Sequence, residues 1–173
     1  VFRPSQPVLD IAGTLVRLGL AAVWLVSGSI KISDPGQTYL AVKAYEILPS
    51  ALVHPVATAL PLLELALGVL LLAGLLTRIT AVASAVLLVL FIAGVAQSWA
   101  RGLAIDCGCF GGGGKVAQGQ TQYPQEIARD VGFLVLAGWL ILRSRTRLAV
   151  DGWLRAGERE PAPDEPVSEA ERI

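Results

Sequence analysis

Ala81-Val82-Ala83-Ser84-Ala85-Val86-Leu87-Leu88-Val89-Leu90-Phe91-Ile92 carries a single hydroxyl and no charge. The apolar run around it extends from Ile79 to Trp99, where Arg101 follows closely. A helix needs about 20 mostly apolar residues to cross a bilayer. In lipid such a helix satisfies every backbone N–H and C=O internally and needs no protein cover. Three more runs of this kind occupy Ile11–Ile30, His54–Leu76 and Ile127–Leu142. Of the 173 residues, 54% are hydrophobic and 16% charged, against about 25% charged in an ordinary soluble domain. Mean hydropathy is +0.61. A buried soluble core is the competing reading, and four such runs in so short a chain count against it. The expected fold is all-α, an integral membrane four-helix bundle.

The expected organisation follows. Residues 1–10 form an N-terminal cytoplasmic segment and residues 11–148 the transmembrane domain. Residues 149–173 form a charged, proline-rich tail, expected to be disordered. The first run contains Arg17 and lacks a small-residue cleavage site before Lys31-Ile32-Ser33-Asp34-Pro35, so it reads as a retained helix rather than a signal peptide. The short Leu76-Thr77-Arg78-Ile79 connection lies on the same side as both termini. That side carries Arg3, Arg78, Arg143, Arg145, Arg147 and Arg155, against Lys31, Lys43, Arg101 and Lys115 opposite. Six against four places both termini in the cytoplasm and loops 31–53 and 100–126 outside. The expected location is the cytoplasmic membrane. Zero formal net charge gives no sign of nucleic-acid binding.

In the first outer loop, Asp34-Pro35-Gly36-Gln37 has the form of a helix start with a capping box. Leu40, Ala44, Ile47 and Leu48 recur at helical spacing, and Pro49 ends the segment. A short amphipathic helix at the outer surface is expected there. In the second loop, Gly111-Gly112-Gly113-Gly114-Lys115-Val116 lacks the Lys-Ser/Thr of a phosphate loop and reads as a mobile stretch.

Charges inside the spans point to function, since one at the bilayer centre costs about 2.5–3.5 kcal/mol even on the mild scale. Arg17 and Glu64 sit on antiparallel neighbours, so an ion pair between them is one expectation. A proton-handling or quinone-contacting Glu64 is the other. Pro61 frees the carbonyl of Ala57 and suggests a polar pocket beside Glu64. Lys31, at the exit of the first span, and Arg129, at the head of the fourth, are further candidate supporting residues.

The only cysteines are Cys107 and Cys109, separated by Gly108. A disulfide across one residue closes a small, strained ring, and strained disulfides are the labile, catalytic or regulatory ones. A thiol relay is therefore favoured, with Arg129 able to favour thiolate and Asp106 opposing it. A metal site built from Cys107, Cys109, His54 and Asp106 is the rival, and a static disulfide is the third possibility.

The chain resembles the MauE methylamine-utilisation family of DoxX-like membrane proteins over approximately Leu15 to Leu142. The resemblance rests on Arg17-Leu18-Gly19-Leu20, Ser27-Gly28-Ser29-Ile30-Lys31, Ala44-Tyr45-Glu46-Ile47-Leu48-Pro49 and Pro61-Leu62-Leu63-Glu64-Leu65-Ala66-Leu67-Gly68. It continues through Gly74-Leu75-Leu76-Thr77-Arg78, Ile105-Asp106-Cys107-Gly108-Cys109-Phe110-Gly111 and Arg129. It implies a four-helix membrane bundle and a role in thiol–disulfide chemistry outside the membrane, as a maturation or assembly factor for a thioredoxin-like partner. Asp130 departs from the neutral polar residue expected after Arg129. Two rivals carry different expectations: an accessory subunit of a larger membrane complex, and a small transporter, against which no inverted repeat is visible. No cofactor follows from the residues beyond the suggestion of a quinone.

Overall fold

The computed structural model describes residues 6–117 and 119–143. Arg3, Arg145, Arg147, Arg155 and the tail 149–173 lie outside the described residues. Five helices and a two-stranded ribbon follow in the order α1 (Gln6–Ser33), α2 (Pro35–Ala44), α3 (Ser50–Ala73), α4 (Thr77–Ala100), β1 (Ile105–Asp106), β2 (Gly114–Lys115) and α5 (Tyr123–Leu142). Three of them are long and apolar enough to cross a membrane: Val8–Ser33, Ser50–Ala73 and Thr77–Ala100. The protein is an all-α membrane bundle. The fourth expected span is helical, but Glu126, Arg129 and Asp130 fill the first turns of α5, so its apolar stretch begins only at Val131.

The boundaries move for local reasons. α3 starts at Ser50 rather than His54, directly after Pro49. It ends at Ala73 because Gly74 turns left-handed at φ 68°. There Gly74 N–H reaches Leu71 C=O and Leu75 N–H reaches Leu70 C=O, the two-bond cap that a left-handed glycine permits. The turn into α4 is therefore Gly74-Leu75-Leu76, and Arg78 is already helical. α2 starts as read: the Asp34 carboxylate accepts from Gln37 N–H at 2.9 Å. The box does not close, however, because the Gln37 side chain donates instead to Gly113 C=O at 2.5 Å. The buried face of α2 is Thr38, Ala41 and Ala44. Leu40 and Ile47, expected on that face, are exposed.

α1 packs on α3, α4 on α5, and α5 closes against α1. Leu20, Ala21 and Trp24 of α1 meet Leu67 and Leu71 of α3, Leu87 and Leu88 of α4, and Ala137 and Leu140 of α5. Trp24 donates its indole N–H to Ser84 Oγ at 3.0 Å. Gly68 allows the close approach of α1 and α3, since a Cβ there would fall 2.7 Å from Leu25 Cγ. Gly28 faces Leu65 in the same way, at 2.9 Å. Small residues at such crossings are how membrane helices gain packing.

This register overturns the expected Arg17–Glu64 ion pair. With Leu25 opposite Gly68 and Gly28 opposite Leu65, Glu64 lies level with Ser29. Arg17 is then displaced along the axis by about 18 Å at 1.5 Å per residue. Its guanidinium reaches the open end of α3, donating to Leu71 C=O at 2.9 Å and Leu72 C=O at 3.2 Å. Those carbonyls belong to the last turn, which lacks helical donors and carries the negative end of the dipole. Glu64 pairs instead with Lys31, Nζ to Oε1 at 2.6 Å, with side chains 8% and 0% exposed.

Removing one member of a buried pair strands the other charge, at a cost of about 3–5 kcal/mol, while replacing both by apolar residues costs far less. Lys31→Ala is expected to lower the thermal midpoint in detergent markedly, and Lys31→Met with Glu64→Leu to recover most of it. Equal losses in the single and double variants count against the pair as the α1–α3 clamp.

Candidate functional site

At one end of the bundle the cysteine loop folds back as a packed unit. β1 pairs antiparallel with β2, Ile105 opposite Lys115 and Asp106 opposite Gly114. The glycine run is not an open tether. Gly111, Gly112, Gly113 and Gly114 take φ of 93°, 70°, 94° and 98°, values that favour glycine. A Cβ on Gly113 would sit 2.7 Å from Ala41 Cβ and 2.8 Å from Gly108 Cα. The loop therefore lies flat on α2, and both cysteines are buried, at 8% and 7% exposure, in a small core with Ala44, Val95, Ile105 and Tyr123.

The backbone of this loop is held by side chains from α1, from α5 and from the segment just beyond α2. Tyr45, just beyond α2, donates its hydroxyl to Cys107 C=O at 3.1 Å. The Tyr123 hydroxyl of α5 accepts Ile105 N–H at 3.1 Å and donates to Leu103 C=O. Glu126 Oε1 accepts Cys107 N–H at 3.3 Å, and Asp106 Oδ1 accepts Gly108 N–H at 3.0 Å. From α1, the Ser27 hydroxyl lies 2.7 Å from Cys109 C=O and 2.9 Å from Glu64 Oε2. Lys31 Nζ reaches Ser27 Oγ at 2.7 Å and Cys109 C=O at 3.4 Å. The charged pair inside the bundle is thus bonded directly to the thiol loop.

Both cysteines are free thiols, and their surroundings differ. Cys107 Sγ accepts Cys109 N–H at 3.4 Å and the Arg129 guanidinium at 3.6 Å. The Cys109 thiol beside it, then these two donors, hold the Cys107 thiol below its ordinary pKa against the opposing effect of burial. The same contact with Cys107, and then burial, push Cys109 well above its ordinary value. The arrangement makes Cys107 the more acidic thiol of the two and Cys109 the less acidic. Arg129 is fixed for this by its Nε contact to Asp130 at 3.0 Å and by stacking over Phe110 at 4.8 Å. Arg129 reaches Cys107 and Asp130 at once because the guanidinium has five N–H donors.

Other sequence candidates lie elsewhere. Arg17 is at the far end of α1. His54 stands beside Tyr39, ring centroids 6.4 Å apart. It lines a cavity of about 540 Å³ with Lys31, Ala57 and Pro61, so a space does open at Pro61 without including Glu64. The metal set of His54, Asp106, Cys107 and Cys109 is not assembled. Among the described residues, the donor atoms within 4.8 Å of one another belong to Asp106, Cys107 and Glu126. The guanidinium on Cys107 Sγ competes with a cation there.

The family model for methylamine utilisation protein MauE matches residues 9–143. Methylamine utilization protein MauE of Paracoccus denitrificans is 36% identical over 99 residues, 57% of this chain and 53% of that protein. The match therefore spans about half the length of this curated relative. No solved structure matches. The family match takes in the whole bundle and every residue of the thiol site, and the chain belongs to the MauE family of membrane proteins.

Proposed function

We propose that the chain is a membrane thiol–disulfide exchange component that serves a thioredoxin-like partner outside the cytoplasm, in the maturation or assembly of client proteins. The observation that carries this reading is the double donation to Cys107 Sγ, from Cys109 N–H at 3.4 Å and Arg129 at 3.6 Å, beside a free Cys109. Thiolate is the attacking species in exchange, and the second thiol is the resolving group. The Cys107 thiolate attacks a partner disulfide, breaking its S–S bond, forming a mixed disulfide and releasing the other partner sulfur as thiolate. Cys109 then gives up its proton and displaces the partner, closing the Cys107–Cys109 disulfide. In reverse, a partner dithiol reduces that disulfide through the same intermediate. Arg129 stabilises the Cys107 thiolate, and Lys31, Ser27 and Glu64 hold the loop from below.

In this reading α5 is the fourth span. Its first turns remain with the loop, where Glu126, Arg129 and Asp130 have partners, and the stretch from Val131 crosses the membrane. Six basic residues on the side of the termini against four on the loop side support cytoplasmic termini and an outer thiol site. An oxidising compartment on that side suits disulfide chemistry.

Three outcomes test the proposal. Cys109→Ser, which keeps the attacking sulfur and removes the resolving one, is expected to accumulate a mixed disulfide with an extracytoplasmic protein in cells. Cys107→Ser is expected to trap far less. Differential alkylation read by mass spectrometry that never finds the thiols changing state overturns the reading. Secondly, Cys107 alkylation is expected to rise with pH through a midpoint below the ordinary thiol value of about 8.5. Because the guanidinium stabilises the deprotonated form, Arg129→Gln shifts that midpoint upward. An unmoved midpoint removes Arg129 from its role. Thirdly, an impermeant maleimide is expected to label a cysteine placed at Lys115 in intact cells and to miss one placed at Arg78. The reverse pattern inverts the topology.

A further inference from the structure

The thiol pair is buried, but it is not sealed. A cavity of about 780 Å³ reaches it from between α3 and α4, beneath the end of α2. Cys107, Cys109, Lys31 and Gln97 line it together with the apolar Leu60, Leu87, Leu90 and Phe91. Two wall residues, Ile47 and Leu90, are 53% and 60% exposed. Leu90 lies within the span Thr77–Ala100, so part of the lining faces the lipid, while the exposed Glu46 and Arg101 line the cavity as well. A molecule entering from the lipid is itself apolar, and its reactive end meets sulfur.

Resting on the exchange function proposed above, we infer that this cavity binds a lipid-soluble quinone, whose ring takes the electrons of the Cys107–Cys109 dithiol. Four observations converge on that class. The volume lies within the roughly 300–1,000 Å³ of small-molecule sites. Gln97 Oε1 is buried without a partner among the described residues and lines the cavity, and a buried acceptor of this kind calls for a donor such as a quinol hydroxyl. Lys31, paired with Glu64, brings its ammonium 5.5 Å from the Phe91 ring on the cavity wall. Lastly, the chain has only these two cysteines, so it has no second dithiol to pass electrons to.

The redox balance points the same way. Closing a disulfide across one residue is strained, and strained disulfides are the more oxidising ones. A weak oxidant does not make such a bond. A quinone accepts two electrons and two protons, the number that disulfide formation releases. Two S–H bonds break and one S–S bond forms, while two O–H bonds form on the ring as quinone becomes quinol. The quinol leaves into the lipid, and the disulfide is left for the partner's thiols.

The test uses the reduced full chain in lipid nanodiscs without oxygen. Decylubiquinone is the probe, and dithiodipyridine, an activated water-soluble disulfide, is the comparison oxidant. The expected result is loss of quinone absorbance matched one to one by closure of the Cys107–Cys109 disulfide. Ala93→Trp and Leu90→Trp, which fill the cavity from α4, are expected to slow quinone reduction at least about tenfold, given how sharply a pocket rejects added bulk. Neither is expected to change the reaction with dithiodipyridine, which also certifies that each variant is folded. Disulfide closure by dithiodipyridine but not by the quinone overturns the quinone site and leaves the exchange function standing, with lipid as the cavity's occupant. Quinone reduction undiminished in both filled variants also overturns it. Failure of both reagents to close the disulfide overturns the exchange function itself.

Discussion

A lysine and a glutamate buried together inside a membrane bundle set the terms for the rest of this structure. Lys31 and Glu64 are 8% and 0% exposed and 2.6 Å apart, and neither charge is tolerable there alone. The pair fixes α1 against α3 along the axis, with Gly28 and Gly68 bringing the backbones close enough for it to form. It also reaches beyond the two helices. Ser27, one turn before Lys31, lies within hydrogen-bond distance of both Glu64 and Cys109 C=O. A hydroxyl carries one hydrogen and donates to one acceptor at a time. The loop carbonyl and the buried carboxylate therefore compete for the same proton, and the position of the thiol loop is felt at Glu64.

The second constraint lies above the first and works by asymmetry. Two thiols one residue apart cannot ionise equally, since each negative charge disfavours the other. Arg129 and Cys109 N–H both donate to Cys107 Sγ, so Cys107 is the thiol that ionises more readily. Glu126 opposes it from α5 while holding the Cys107 N–H. Asp130, one residue from Arg129, holds the guanidinium in place rather than cancelling it. The two sulfurs are thereby told apart by backbone direction and one cation, without any difference in residue type.

Much of the bundle is legible in the sequence because lipid imposes a simple rule: long apolar runs become helices, and α1, α3 and α4 obey it. Local chemistry is equally legible where it is self-contained, as at the Asp34 cap. What depends on register is not. Arg17 and Glu64 are the two charges furthest from the ends of their runs, yet a displacement of about 18 Å separates them, and Lys31, apparently a loop residue, is helical and buried. The loop glycines suggest mobility until Ala41 and Gly108 are found packed against them. Glu126, Tyr123 and Ser27 went unnoticed as site residues, although spacing offered a signal. Tyr123, Glu126 and Asp130 fall on one face of α5, as Ser27 and Lys31 do on α1.

Burial of both sulfurs constrains how such a site can turn over. In the exchange proposed, a protein partner would have to reach Cys107 past Phe110 and the Arg129 stacked on it. The cavity lined by Cys107 and Cys109 would admit a small molecule with the loop still seated. Lifting the loop takes Cys109 C=O from Ser27 and Lys31, which returns the Ser27 proton wholly to Glu64. Seating the loop restores the competition. The bonds from Ser27 and Lys31 to Cys109 C=O thus favour the seated loop, and any step that needed it lifted would lose them.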